Sequence, residues 1–125
     1  MMNATRMFAV LPAQDITRAR TFYSEKFGIE PDESSVEGDF YRLTDGFTFL
    51  LYETPYAGTA QNTAMGWETE DLDTEVARLR SLGVEFQDYD IPGLKTENGI
   101  ATTGSEKAAW FTDSEGNILA VSQRL

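Results

Sequence analysis

MFAVLPAQDITRARTFYSEKFGIE (residues 7–30) and TAMGWETEDLDTEVARLRSLGVEF (residues 63–86) run in the same order: an apolar strand, an Asp, a short amphipathic helix, a Gly, then further strands. In the first stretch Asp15 stands where a helix N-cap belongs, its carboxylate able to accept from free backbone N–H groups. Ile16, Ala19, Phe22, Tyr23 and Phe27 recur at helical spacing and make one buried face. Gly28 suits the left-handed turn that ends a helix. In the second stretch Asp71 is the matching cap, Leu72, Val76, Leu79 and Leu82 make the stripe, and Gly83 ends the helix. A repeat of this kind decides the architecture before any single element does.

Outward from these stretches, the first module begins with a strand over residues 7–13 and continues with strands over 29–34, 39–44 and 47–53, with Asp45-Gly46 as a hairpin signal. The second begins near Ala64 and continues over 84–91, 108–112 and 117–123, with a turn at residues 113–116 (DSEG). Each module therefore reads β-α-β-β-β, and the chain reads as one α+β domain. Its modules span about 1–57 and 61–125, joined by a short polar linker within 55–63. One segment breaks the symmetry: residues 92–106 (PGLKTENGIATTGSE) show no periodicity, which fits a lid over a pocket or a plain mobile loop.

Composition removes several kinds of chemistry. The chain has 125 residues, 41% of them hydrophobic, enough for one compact core. It contains no cysteine and no histidine. Disulfides, thiolate metal sites, cysteine nucleophiles and histidine-based triads are thus excluded. There is no glycine-rich phosphate loop and no G-x-S-x-G elbow. The acidic run over residues 68–75 lacks the spacing of a calcium loop and suits a helix N-terminus. The net charge of −11 argues against nucleic acid as a partner, which needs clustered Lys and Arg. No apolar run has the length of a membrane span, and residues 1–10 lack the pattern of a secretory signal, so the expected location is cytoplasmic.

Three motifs, in order, carry a resemblance. DITRARTFYSEKFGI resembles D-x-x-x-A-x-x-F-Y-x-x-x-x-G, TEDLDTEVARLRSLGV follows, and WFTDSEGNILAV resembles F-x-D-P-D-G-N-x-x-E-L, with Ser114 where Pro is usual. Across nearly its whole length the chain resembles the vicinal oxygen chelate superfamily, which includes glyoxalase I, extradiol dioxygenases, fosfomycin-resistance enzymes and bleomycin-resistance proteins. The resemblance implies two βαβββ modules with cupped mixed sheets and helices on the outer face. Metal-using members ring one divalent ion with His or Gln on the first strand, Glu on the fourth, His on the fifth and Glu on the eighth. Counted from the helix caps and from Gly116, those positions fall on Phe8, Ala64 and Ala120; the fourth-strand position falls on Leu50 or a neighbour two residues away. Phe, Leu and Ala offer no nitrogen or oxygen donor, so no metal and no other cofactor is expected. The resemblance then favours the metal-free branch, whose bleomycin-resistance proteins bind a drug without altering it.

Period-2 alternation extends these positions into a lining. With Phe8 goes Val10; with Leu50 go Thr48 and Tyr52; with Ala64 go Gly66 and Glu68; with Ala120 go Ile118 and Ser122. Met65 and Trp67 face the helix. Trp110 matches an aromatic pocket position in the family or else packs under the loop, and Tyr41 fits either face. The small residues Ala64, Gly66 and Ala120 leave space at the centre. Glu68 reads as a general base with raised proton affinity, as the partner of a cationic ligand, or as a solvated strand-end carboxylate. The ligand-binding set is therefore Phe8, Val10, Thr48, Leu50, Tyr52, Ala64, Gly66, Glu68, Trp110, Ala120 and Ser122. Two functions follow: sequestration of a small organic molecule, or metal-free acid–base catalysis by Glu68 and Tyr52 on a carbonyl compound or epoxide. A homodimer is implied, since family members commonly build each cup from modules of both chains; a purely structural dimer module with a filled cup is the third alternative.

Overall fold

The computed structural model describes residues 2–125, Asp45 by its backbone only. The first module contains β1 (Ala9–Ala13), α1 (Ile16–Phe27), β2 (Glu33–Ser35), β3 (Gly38–Arg42) and β4 (Thr48–Glu53). The second contains β5 (Thr63–Glu68), α2 (Leu72–Ser81), β6 (Asp90–Ile91), β7 (Leu94–Lys95), β8 (Ile100–Thr102), β9 (Glu106–Thr112) and β10 (Ile118–Arg124). Two four-stranded mixed sheets result, ordered β1-β4-β3-β2 and β5-β10-β9-β8, beside a small β6-β7 hairpin. In both sheets the module's first strand lies parallel to its last, and the other pairings are antiparallel. Among the described residues no helix is long and apolar enough to cross a membrane.

The helix caps match the sequence reading. Asp15 accepts the Arg18 N–H at 3.0 Å, and Gly28 takes φ 69° while its N–H reaches Ser24 O at 2.9 Å. Asp71 accepts from the Thr74 N–H at 3.1 Å and its hydroxyl at 2.7 Å. One apolar cluster joins both modules, with Leu11, Tyr23, Phe49 and Leu51 from the first and Leu72, Val76, Leu79, Phe111 and Leu119 from the second. Phe27, in the last turn of α1, stacks on Trp67 at 4.8 Å and lies 5.9 Å from Phe111, so the helix-side faces of both sheets share this core. Tyr41 belongs to it too. Its ring stacks on Phe49 at 4.6 Å, and burial, with Asp39 nearby, pushes its hydroxyl up to about 12.

The turn between β9 and β10 fastens the modules together. Asp113 accepts the N–H groups of Glu115 (2.8 Å) and Asn117 (3.0 Å), the Asn117 side-chain amide (2.9 Å), and the Tyr23 hydroxyl from α1 (2.6 Å). Glu115 accepts the N–H groups of Gln14 and Asp15 at 2.9 Å each and the Arg18 guanidinium at 2.8 Å. The Asn117 amide also donates to Pro12 O at 2.9 Å. Gly116, at φ 85°, crosses the linker here: a Cβ on it would lie 2.8 Å from Gly58 Cα. The motif WFTDSEGN is thus chiefly an inter-module fastening.

Several boundaries differ from the sequence reading. The first strand starts at Ala9 rather than residue 7, and the predicted strand over 29–34 shrinks to Glu33–Ser35. Residues 44–46 form a 3₁₀ turn where Asp45-Gly46 suggested a tight hairpin. The largest difference lies in the second module, where residues 84–91 do not form one strand. Phe86 bridges to Phe111 and the Gln87 N–H reaches Trp110 O at 2.8 Å; the chain then leaves the sheet and returns at Ile100, opposite Ala109. Residues 88–99 are therefore looped out of a strand that otherwise continues, and β7 and β8 lie inside the segment expected to be an aperiodic loop. Within the excursion Pro92-Gly93 makes the turn between β6 and β7, with Gly93 at φ 84°.

Candidate functional site

Strand alternation leaves one face of each sheet outside the shared core. On the first sheet Phe49 and Leu51 point into the core, so Thr48, Leu50 and Tyr52 point away from it. The register sets Val10 and Phe40 on either side of Leu50. Phe8, just before β1, packs edge-on against Phe40 at 5.5 Å. On the second sheet Leu119 and Val121 point inward, and Gly66, Ala120 and Trp110 form one row across the open face. Ser122 pairs with Glu68 one row further along. Met65 and Trp67 pack against the core. The structure thus brings the expected residues together in two groups, one per sheet.

These faces are not enclosed by the single chain. Phe8 is 41% exposed, Val10 50% and Tyr52 36%, and Ala64 and Gly66 are open to solvent. Between the edge strands β1 and β5 runs a cleft of about 660 Å³, lined by Ala9, Leu43, Phe47 and Thr48 on one side and by Met65, Gly66 and Glu68 on the other. Thr48, Gly66 and Glu68 are the expected residues that share it.

The polar members are more committed than the sequence suggested. Glu68 forms an exposed ion pair with Arg124 at 2.6 Å, its own side chain 57% accessible. The desolvated carboxylate expected of a general base is therefore absent from the single chain, and the solvated strand-end alternative describes its setting. The Thr48 hydroxyl donates to Met7 O at 2.6 Å, and the Ser122 hydroxyl reaches Trp67 O at 3.4 Å. Arg6 lies over the Phe40 ring at 4.1 Å, and the register adds Arg42, Glu33 and Glu106 to Glu68 and Arg124. Charges of both signs therefore border these faces, and of the six only Glu68 and Arg124 form an ion pair among the described residues.

A divalent ion does not fit the side chains at the family positions. Phe8, Leu50 and Ala120 lie on the open faces as hydrocarbon, as does Ala64 at the exposed edge. Among the described residues no group of three or more Asp, Glu, His or Cys side chains could hold an ion. The side-chain oxygens that strand alternation sets on the same faces are the hydroxyls of Thr48, Tyr52 and Ser122 and the Glu68 carboxylate paired with Arg124, which is a poor donor set for zinc or manganese.

Three residues escaped the sequence reading. Phe40 was legible in principle, since hairpin pairing sets it opposite Leu50. Arg6 had no signal. Tyr89 approaches Trp110 edge-on at 5.6 Å, and its hydroxyl bonds to Gln87. It lies in the segment that leaves the sheet, where strand alternation gives no prediction.

A family model described as the Glyoxalase/Bleomycin resistance protein/Dioxygenase superfamily matches residues 7–121. A comparison with curated proteins finds no match. Among solved structures, UcmS2 superposes with a TM-score of 0.75 at 19% identity, over 97% of this chain and 98% of that one. TnmS3, described as an antibiotic binding protein from Streptomyces sp. CB03234, gives 0.72 at 22% identity over 100% and 99%. The fosfomycin resistance protein FosX from Listeria monocytogenes, in complex with manganese(II) and sulfate, gives 0.70 at 16% identity over 97% and 90%. At these identities the structural likenesses establish the fold.

Proposed function

The chain belongs to the Glyoxalase/Bleomycin resistance protein/Dioxygenase superfamily, and on that premise we propose that it binds a small organic molecule against its open sheet faces without a metal ion, sequestering the molecule rather than transforming it. One observation carries this reading: the family's ion-binding positions hold only hydrocarbon, while small residues beside them keep space open in front of an aromatic wall. The row Gly66–Ala120–Trp110 supports it, with two small residues beside the Trp110 ring and Gly66 on the cleft. Apolar surface with a few polar groups is the usual character of a small-molecule site. The description of TnmS3 as an antibiotic binding protein supports the same direction. Phe8, Val10, Leu50, Tyr52 and Ala64 complete the lining, with Thr48, Glu68 and Ser122 at its polar edge. A second copy of the chain, set against these faces, would close the hollow; the exposed Phe8, Val10 and Tyr52 support a homodimer. The cytoplasm is the proposed location.

A thermal-shift screen of hydrophobic antibiotics and metabolites, run with chelator present, tests the reading. A ligand at a hundredfold excess over Kd stabilises the fold by about 2.7 kcal/mol, and a melting shift on the order of 8–12 °C is expected. No shift across a broad panel contradicts it. Product formation that Glu68→Gln abolishes would replace sequestration with catalysis.

Gly66→Leu gives a sharper outcome. A Cβ at Gly66 meets nothing nearer than Ala120 O at 3.5 Å, so the sheet accepts the side chain. Stability should stay within about 1 kcal/mol of the parent, while the leucine fills the hollow and affinity for any screened ligand falls at least about tenfold. Undiminished affinity, measured by isothermal titration, would place the ligand elsewhere.

A further inference from the structure

Residues 88–99 leave the edge strand of the second sheet between Gln87, which reaches Trp110, and Ile100, which pairs with Ala109. The neck of this excursion is closed by side chains. Asp88 Oδ1 accepts the Gly99 N–H at 2.9 Å and the Thr96 hydroxyl at 2.8 Å. Thr96 Oγ1 in turn accepts the Tyr89 N–H at 2.8 Å, and the Thr96 N–H donates to Tyr89 O at 2.9 Å. Gly99 is fitted to the neck: it takes φ 78°, and a Cβ there would lie 2.9 Å from Phe86 Cβ. Thr96 is buried although the segment is short and polar. The excursion bends toward the open face, because Tyr89 meets Trp110 at 87° and Trp110 shares its row with Ala120 and Gly66. Ala101 and Ala108, which the register sets one row further along that face, are buried as well.

We propose that residues 88–99 are a fixed wall of the ligand site, in which the Asp88–Thr96–Gly99 clasp holds Tyr89 at right angles to Trp110 and so selects planar aromatic guests. The inference rests on the reading of the open faces as a ligand site. Two rings at right angles form a corner: a flat guest stacks on one and meets the edge of the other. A corner held in advance costs a guest no ordering of the loop, and loosening the clasp therefore weakens binding.

The test uses Nile red, a neutral planar fluorophore, with the full chain. The parent should bind it with quenching of tryptophan emission, retained in Trp67→Phe and lost in Trp110→Leu. Asp88→Ala and Tyr89→Ala should each raise Kd at least about fivefold, and Tyr89→Phe should match the parent. Hydrogen exchange should show the Tyr89 and Thr96 amides losing protection about tenfold or more in Asp88→Ala, with β10 amides unchanged. Thr96→Val, which removes the hydroxyl that joins Asp88 to Tyr89 at nearly equal volume, serves if Asp88→Ala fails to fold. Binding that is indifferent to Asp88, Thr96 and Tyr89 overturns the wall and leaves the ligand site standing. No binding of Nile red by the parent overturns the aromatic selection, while the screen of other ligands decides the site itself.

Discussion

Asp113→Ala should destabilise the protein by about 3–5 kcal/mol in urea denaturation, the largest loss expected from any single polar substitution. The aspartate is 5% exposed and accepts four hydrogen bonds, two from backbone N–H groups of its own turn, one from the Asn117 amide and one from Tyr23. Removing it strands all four donors where water does not reach. The Tyr23 hydroxyl is the costliest of them, because it sits at the centre of the core shared by the modules; burial, and then the neighbouring Asp113, raise its pKa well above the ordinary tyrosine value. Asp113→Asn keeps one acceptor oxygen for the turn but points an amide at Tyr23 and Asn117, and about half the loss is expected. A loss under about 1 kcal/mol for Asp113→Ala would mean that the turn does not hold the modules together.

The second large effect is a pH dependence. Glu115 has a fully inaccessible side chain, and it receives two N–H groups from the start of α1 and the Arg18 guanidinium. Burial alone would raise its pKa; the Arg18 hydrogen bond, the backbone N–H groups and the Ser114 hydroxyl outweigh it and bring the carboxyl down to about 2 from 4.5. A carboxylate depressed in the folded state stabilises the fold above its unfolded pKa, and that stability is lost as pH falls through the folded value. The contribution, on the order of 2–3 kcal/mol, should be complete above pH about 4.5 and vanish toward pH about 2. Glu115→Gln should therefore be less stable by that amount at neutral pH and should converge with the parent in acid. Parallel stability curves for the two proteins between these limits would contradict the assignment.

How far the sequence reveals this molecule depends on whether a feature is local. Asp15, Gly28 and Asp71 act within one turn of chain, and the helices begin and end where these residues indicate. Alternation is local too, which is why Leu50, Gly66, Glu68, Ala120 and Ser122 were assigned to the proper faces. The edge strand of the second module was not legible, because its pairing resumes after residues 88–99 have been looped out and no pattern along the chain marks the point of return. Glu115 shows the same limit from another side. It occupies a turn that the sequence marks plainly, yet its partners Gln14, Asp15 and Arg18 lie a hundred residues away. For Glu68 the sequence leaves the solvated strand-end reading open beside two others, and its partner is not legible, since the ion pair joins the end of β5 to the last residue of β10.

The account rests on a hollow whose lining has no ligands for an ion. Elemental analysis of the purified protein, by plasma mass spectrometry after dialysis without chelator, tests this most directly. Zinc, iron, nickel and manganese should each be far below one atom per chain. A single transition metal near one per chain, lost together with ligand binding on chelation, would contradict it.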